Sequence, residues 1–446
     1  MVWWTRRLGS AAPWWGLVVA LTLMVLAMAV PAVWGWDVHV FSFPPLHVAW
    51  DPRVGPGSVA AIAVGCVGVI GAGVAASNWR WSRLLLGAFL LSVAWLTSLA
   101  TVDGWDGIGH ILNTDYEYLN TARRVSNISF TLHEYVERIP YSHPNNWQVH
   151  IAGHPPGALL FFVLLVRLGL GSGLAAGLVV LLLAATTPVA VMLTLRRLGA
   201  EQGARRAAPF LVLGPAAIWM AVSGDAVFGA IAAWGLCCLA VAATHSHRGG
   251  VAAWGMLSGL LLGYCVMMSY GLVLLGIVAL AVLAAARSWR ALPWAVAAAL
   301  AVVGIFALAG FAWWEGYSVL RERYWDGVAS RRPTSYWIWG NLAAMCFSAG
   351  PLVGSSIAEV ARRVVSWGRT TAAERPVVWL SAAGVLMVAV ADLSGMSKAE
   401  VERIWLPFMP WLLVGCALLP PRWRRMGLAL QVGFAVTVQH LFFTGW

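Results

Sequence analysis

Four short segments of an otherwise apolar chain carry side chains suited to aqueous chemistry. Asp115 and Glu117 stand two residues apart in TDYEYL, His154 precedes two prolines in GHPPG, and Asp225 sits in SGDAVF. Lys398, Glu400, Glu402 and Arg403 crowd into SKAEVERIWLPFMPW, where Lys398 is the sole lysine of the sequence. A carboxylate beside a membrane surface suits general-base work, because partial burial raises its pKa toward the working range and an acceptor hydroxyl needs only to come within hydrogen-bond reach. Asp103 and Asp106 compete with Asp115 for that role. A guanidinium forks onto phosphate oxygens, so Arg403 and Lys398 suit a phospholipid-linked substrate. Each residue also has a plainer reading: solvated loop acids, an N-cap at Asp225, a structural turn at His154, and a Glu–Arg pair at the interface. Arg321, Arg323, Arg331 and Arg332 form a second basic cluster, with Glu315, Glu322 and Asp326 as its nearest counterions in sequence.

The elements that must position these residues are transmembrane helices. The 446 residues have a mean hydropathy of +0.77, with 60% hydrophobic and 11% charged side chains. No soluble domain carries that composition without exposing large apolar patches. Apolar runs of roughly 20 residues, the length that crosses a bilayer, recur between short arginine-bearing connectors. The expected fold is an all-α polytopic bundle, one integral membrane domain over 1–446. Thirteen spans are expected, at about 11–34, 58–77, 84–101, 174–195, 207–223, 226–244, 251–267, 271–286, 292–313, 336–357, 376–391, 404–420 and 426–443. With the N-terminus cytoplasmic, one face collects 18 arginines, Arg6 and Arg7 among them, against Glu201, Glu359 and Glu374, while the other collects 15 acids. The faces sum to +15 and −4, which together make the formal +11. That basic balance is the positive-inside rule and excludes a nucleic-acid footprint. Counting 157–171 as a crossing would place four arginines outside, so it is expected to be re-entrant or interfacial.

Polar sequence concentrates in three outer loops: 102–173, 314–335 and 393–403. The first is far longer than ordinary connections and is expected to hold the functional centre. Within it, 128–139 has helical spacing of apolar residues and predicts an amphipathic juxtamembrane helix. The loop at 35–57 suits an interfacial lid. The break MMSYG at 267–271 is expected to line a cavity. The six cysteines all fall in expected spans, which argues against disulfides and a zinc site. The 28 tryptophans suit interfacial belts, with Trp105, Trp147, Trp314 and Trp325 able to stack on a sugar. The NIS at Asn127 is formally a glycosylation sequon. The preference for arginine over lysine hints at a GC-rich actinobacterial genome.

The order of these motifs resembles the GT-C superfamily of multispan glycosyltransferases: an acidic motif in the first large outer loop, a His-Pro-Pro turn, an Asp after a later span, and an Arg-x-x-x-Pro helix start. Over about 84–420 the chain is similar to uncharacterised actinobacterial integral membrane proteins of that superfamily. The resemblance implies a polyprenyl-phosphate sugar donor, an extracytoplasmic cell-envelope acceptor and a single inverting transfer at a plasma-membrane site facing outward. It implies Asp115 as base with Glu117 beside it, His154 and Asp225 at the donor or acceptor site, and Arg403 on the lipid phosphate; Lys398, Glu400 and Asp106 complete the candidate binding set. No metal ligands are assigned, although a divalent cation is left open as cofactor. Two spans precede the one that feeds the acidic loop, and DYE replaces adjacent acids, so the base stays open among Asp115, Asp106 and Asp103. The competing classes are a lipid or small-molecule flippase, which would place ionisable groups near the midplane, and a scaffold subunit, which would tolerate loss of the outer acids.

Overall fold

The computed structural model describes residues 2–40 and 43–445, with side chains from residue 11 onward; those of Arg6 and Arg7 lie outside the described residues. Apolar composition and helix length act together to give an all-α multi-pass membrane protein. Among the described residues, seven helices are long and apolar enough to cross a bilayer: Ala11–Trp34, Ser58–Asn78, Trp81–Asp103, Gly173–Arg197, Gly224–Ala243, Arg248–Met268 and Arg375–Leu393. Two bent pairs raise the number to nine, Leu292–Leu308 with Trp313–Asp326 at 74° and Thr334–Ala349 with Leu352–Val365 at 105°.

Not every expected span forms as one continuous helix. The expected span 207–223 is a helix, Glu201–Val212, that stops at Leu213 and resumes only as the turn Ala217–Met220. The expected span 404–420 divides into Val401–Ile404, Met409–Val414 and a 3-10 turn, Gly415–Leu418. Proline is the physical cause in both, since Pro215, Pro407 and Pro410 lack the N–H that a continuous ladder needs. Hydropathy windows do not register such breaks.

Gly224–Ala243 is the central helix, with 83% of its most apolar window buried against 22% for the lipid-facing Ser58–Asn78. It packs on Arg248–Met268, which in turn crosses Leu292–Leu308 closely. Gly255, Gly259 and Gly263 recur every four residues on the crossing face; a Cβ on Gly259 would stand 2.1 Å from the Ala295 carbonyl oxygen. Small residues at this spacing let two backbones approach where lipid supplies no hydrophobic drive.

Pro156–Arg167 has 12 residues, about 18 Å of helix, too short to cross. Pro155 is its extended cap and Pro156 its first residue, so GHPPG works as a helix start. Gly157 is needed for close approach, because a Cβ there would lie 2.3 Å from the Met267 carbonyl oxygen. The helix expected over 128–139 is shorter than its periodicity suggests: it runs Ile128–His133, capped by the Asn127 side chain, and then turns toward Pro140. The sequon asparagine is thus an N-cap.

Candidate functional site

Arg403 lies at the centre of the candidate site. It lies in the one-turn helix Val401–Ile404, is 2% exposed, and its guanidinium Nη1 meets Asp225 Oδ2 at 2.8 Å and Glu117 Oε1 at 3.9 Å. Nη2 stands 3.0 Å from His150 Nε2 and 3.9 Å from Glu400 Oε2. A guanidinium only donates, so His150 Nε2 accepts and its Nδ1–H donates to the Tyr116 carbonyl. Three elements far from Arg403 in sequence therefore converge on one cation.

Asp225 reaches Arg403 because it is spared capping duty. Ser223 is the N-cap, its Oγ accepting from Ala226 N at 3.2 Å, and Asp225 falls in the first helical turn where a negative charge also meets the helix dipole. Glu117 Oε1 accepts from Gly224 N at 3.4 Å, which ties the acidic loop to the same helix start.

Burial and charge divide these groups by protonation. Complete burial, reinforced by Asp225, lifts Glu117 to about 8 against the opposing pull of Arg403. Burial likewise lifts Glu402 to about 7, even though its Oε1 accepts from His47 N at 2.8 Å. Burial opposes the charge of Glu400, yet its carboxyl is held well below the usual range, with the Arg403 guanidinium 3.9 Å away favouring the ionised form. His154 is pushed down to about 4 by burial, and His150 is lowered by burial and then by Arg403, so both imidazoles are neutral near pH 7. Arg403 is held cationic by Asp225 and Glu400 despite its burial.

A measurable consequence attaches to Glu117. An unfolded Glu ionises near 4.5, whereas the folded one keeps its proton to about 8. Between those values the unfolded state alone sheds the proton, so stability is full below about pH 4.5 and falls as pH rises to about 8. Glu117→Gln, a neutral isostere of the protonated acid, is expected to flatten that fall in thermal midpoint against pH. A variant with the wild-type slope would show that Glu117 is already ionised in the fold.

Beside Arg403 opens a cavity of about 500 Å³, lined by the 149–154 turn, the MMSYG break, the bent helix Trp313–Asp326 and the 396–408 segment. Its charged wall is Arg323, Arg332, Lys398, Glu400 and Arg403, four cations to one carboxylate. Trp313 and Tyr317, stacked with centroids 5.5 Å apart, line another side.

The backbone that carries this wall is strained. Ala399 and Glu400 have φ of 71° and 61°, costly for residues with a Cβ. Buried Asn341 holds the segment, accepting from Ala399 N at 3.1 Å and donating to the Ser397 carbonyl at 2.6 Å. The Lys398 N–H donates to Tyr324 Oη, while the Lys398 carbonyl accepts from Arg332 Nη1. The outcome is that Glu400 points at Arg332, 3.5 Å away, and toward His150.

Several expectations from sequence resolve differently. Asp115 is exposed, its Oδ1 accepting from Gln148 Nε2 at 3.1 Å, and it does not line the cavity. Asp106 is exposed at the start of a four-residue helix, and Asp103 is bound to Arg53 and Gln439, so neither joins the cluster. Glu315, Glu322 and Asp326 are not the counterions of the second basic cluster: Arg323 donates to the Ile139 and Trp147 carbonyls, and Arg332 faces Glu400. Lys398 Nζ donates to the Ala329 and Arg332 carbonyls and lies 4.7 Å from the Trp325 ring centroid. Trp147 is committed to Arg138, 3.5 Å above it. His150 went unnoticed in the sequence, although its spacing of four from His154 places both on one helical turn, with His154 Nδ1 2.7 Å from the His150 carbonyl. Among the described residues, no group of three or more His, Cys, Asp or Glu side chains is arranged as metal ligands.

No family model and no curated protein matches the chain. Among solved structures, the Archaeoglobus fulgidus oligosaccharyltransferase complex with Zn and sulfate matches at 12% identity and a TM-score of 0.40, over 79% of this chain and 52% of that one. The same organism's oligosaccharyltransferase AglB, in complex with an inhibitory peptide and a dolichol-phosphate, matches at 14% identity and 0.37, over 80% and 50%. The chain spans about half the length of these structures, and the scores are too low for the likeness to bear on fold or function.

Proposed function

We propose that the protein is a GT-C-type glycosyltransferase that moves one sugar from a polyprenyl-phosphate donor to an extracytoplasmic cell-envelope glycan, lipid or protein. The observation that carries the reading is the cavity whose wall sets Arg332, Lys398 and Arg403 around one ionised carboxylate at the end of a transmembrane bundle. A lipid carrier brings its sugar phosphate along the bilayer to such a site, where no nucleotide sugar is needed.

In the proposed reaction the acceptor hydroxyl oxygen bonds to the anomeric carbon from the face opposite the phosphate. The bond between that carbon and the phosphate oxygen breaks, and the electron pair leaves with polyprenyl phosphate. Arg403, Arg332 and Lys398 stabilise the charge that develops there, the work that fixed dipoles and cations do best in a site closed to bulk water. Of the loop acids, Glu117 is committed to positioning Arg403 and Asp115 stands outside the lining. The base role therefore passes to Glu400. Its low proton affinity is no obstacle, because the hydroxyl becomes strongly acidic as its oxygen bonds to the anomeric carbon. Trp313 and Tyr317 offer the apolar face on which a pyranose or furanose packs.

The test is transfer by the purified full-length protein in nanodiscs, supplied with radiolabelled polyprenyl-phosphate arabinose or mannose and a cell-envelope acceptor. Labelled acceptor and free polyprenyl phosphate are expected in equal amounts. Absence of turnover with every polyprenyl-phosphate sugar tested, in protein that remains folded, overturns the proposal.

A further inference from the structure

The end of the bundle opposite the candidate site holds a second group of charges, and its acids are already committed. Glu201 pairs with Arg196 and Arg205 at 2.9 Å each, and Arg205 also donates to the Ala76 and Trp79 carbonyls. Glu359 pairs with Arg362 and Arg363, and Glu374 with Arg363 at 2.7 Å. Nothing acidic is left for Arg206 and Arg424. Neither makes an ion pair or hydrogen bond among the described residues, the Nε of each is buried without an acceptor, and Arg424 lies in the repulsive field of Arg206.

Two guanidiniums held together without a counter-charge are costly unless an anion joins them. Both line a cavity of about 260 Å³ between the helices Ser58–Asn78, Glu201–Val212 and Pro421–Leu441, with Arg425 at its edge. The cavity's other wall is apolar and includes Ile70 and Val74, which are 64% and 61% exposed on the lipid-facing helix. A free inorganic anion would use the cationic part alone. A ligand with a phosphate and an attached hydrocarbon chain uses both parts.

We propose that this cavity is a binding site for an anionic phospholipid, its phosphate forked between Arg206 and Arg424 and an acyl chain lying along Ile70 and Val74. Basic pockets between helices near a membrane surface select such headgroups by charge-assisted hydrogen bonds. A zwitterionic choline lipid brings its own cation into the same field and is disfavoured.

The experiment uses the delipidated full-length protein in a neutral detergent, with binding read by native mass spectrometry and by the shift in thermal midpoint. Phosphatidylglycerol, phosphatidylcholine and inorganic phosphate are the three probes. Phosphatidylglycerol is expected to bind one per chain and raise the midpoint, with no shift from the other two. Arg206→Gln with Arg424→Gln is expected to weaken phosphatidylglycerol at least roughly tenfold, as loss of charged hydrogen bonds implies. Arg248→Gln with Arg290→Gln, exposed arginines outside the cavity, is expected to leave binding unchanged. If the glutamine pair fails to fold, Arg206→Lys with Arg424→Lys keeps the charges without the fork and is expected to bind more weakly than wild type. Undiminished binding by the folded variant, equal binding of phosphatidylcholine, or an equal shift from inorganic phosphate alone overturns the proposal.

Discussion

Glu400→Gln is expected to lower the turnover of sugar transfer by roughly 10²- to 10⁴-fold, the usual worth of a positioned base, while Asp115→Asn stays near the wild-type rate. Glu400 is the carboxylate on the cavity wall, aimed there by two residues with positive φ, whereas Asp115 is exposed and bonded to Gln148. The loss is expected in turnover, with the Michaelis constant for the lipid donor little changed, because the cations that grip phosphate remain in place. Steady-state kinetics of the purified variants with one lipid donor checks this. If Asp115→Asn loses transfer and Glu400→Gln keeps it, the base is the loop acid of the TDYEYL motif, and the strained segment serves only to hold Arg332 and Arg403.

Arg403→Met is expected to destabilise the protein by about 3–5 kcal/mol, the cost of leaving a buried charge without its partner. Asp225 is 3% exposed and meets Arg403 at 2.8 Å, so its carboxylate would be stranded among apolar side chains. Adding Asp225→Asn to Arg403→Met is expected to recover much of the loss, since the stranded charge disappears. Arg403→Lys keeps the charge but cannot reach both Asp225 and His150 through separate nitrogens, so it is expected to fold while losing transfer. Thermal and denaturant unfolding of the three variants separates the cases. Wild-type stability in Arg403→Met would show that Asp225 is solvated or protonated in the fold and that Arg403 is not its obligatory partner.

Much of the site's composition is legible in the chain. Asp225, Arg403, Lys398, Glu400, His154 and Glu117 stand out because ionisable side chains are rare in an apolar sequence and costly where water is scarce. Their roles are less legible. TDYEYL contains two acids two residues apart, and nothing local reveals that Glu117 turns inward to Gly224 and Arg403 while Asp115 turns out to Gln148. SGDAVF contains two residues able to cap a helix, and only the backbone at Ser223 decides which one does. Arg332 is drawn from a cluster of four arginines by Glu400, 68 residues later in the chain, a pairing that no sequence spacing encodes.

The sequence by itself determined the all-helical membrane character, the separation of arginine-rich and acid-rich segments, and which loops hold the polar groups. Those follow from composition and from the length of helix that crosses a bilayer, which are local properties. Tertiary structure alone decided where helices break at proline, which carboxylate meets the cavity, and which arginines are left without a counter-charge. These depend on long-range convergence, where a difference of a few ångströms changes an exposed acid into a buried, protonated one.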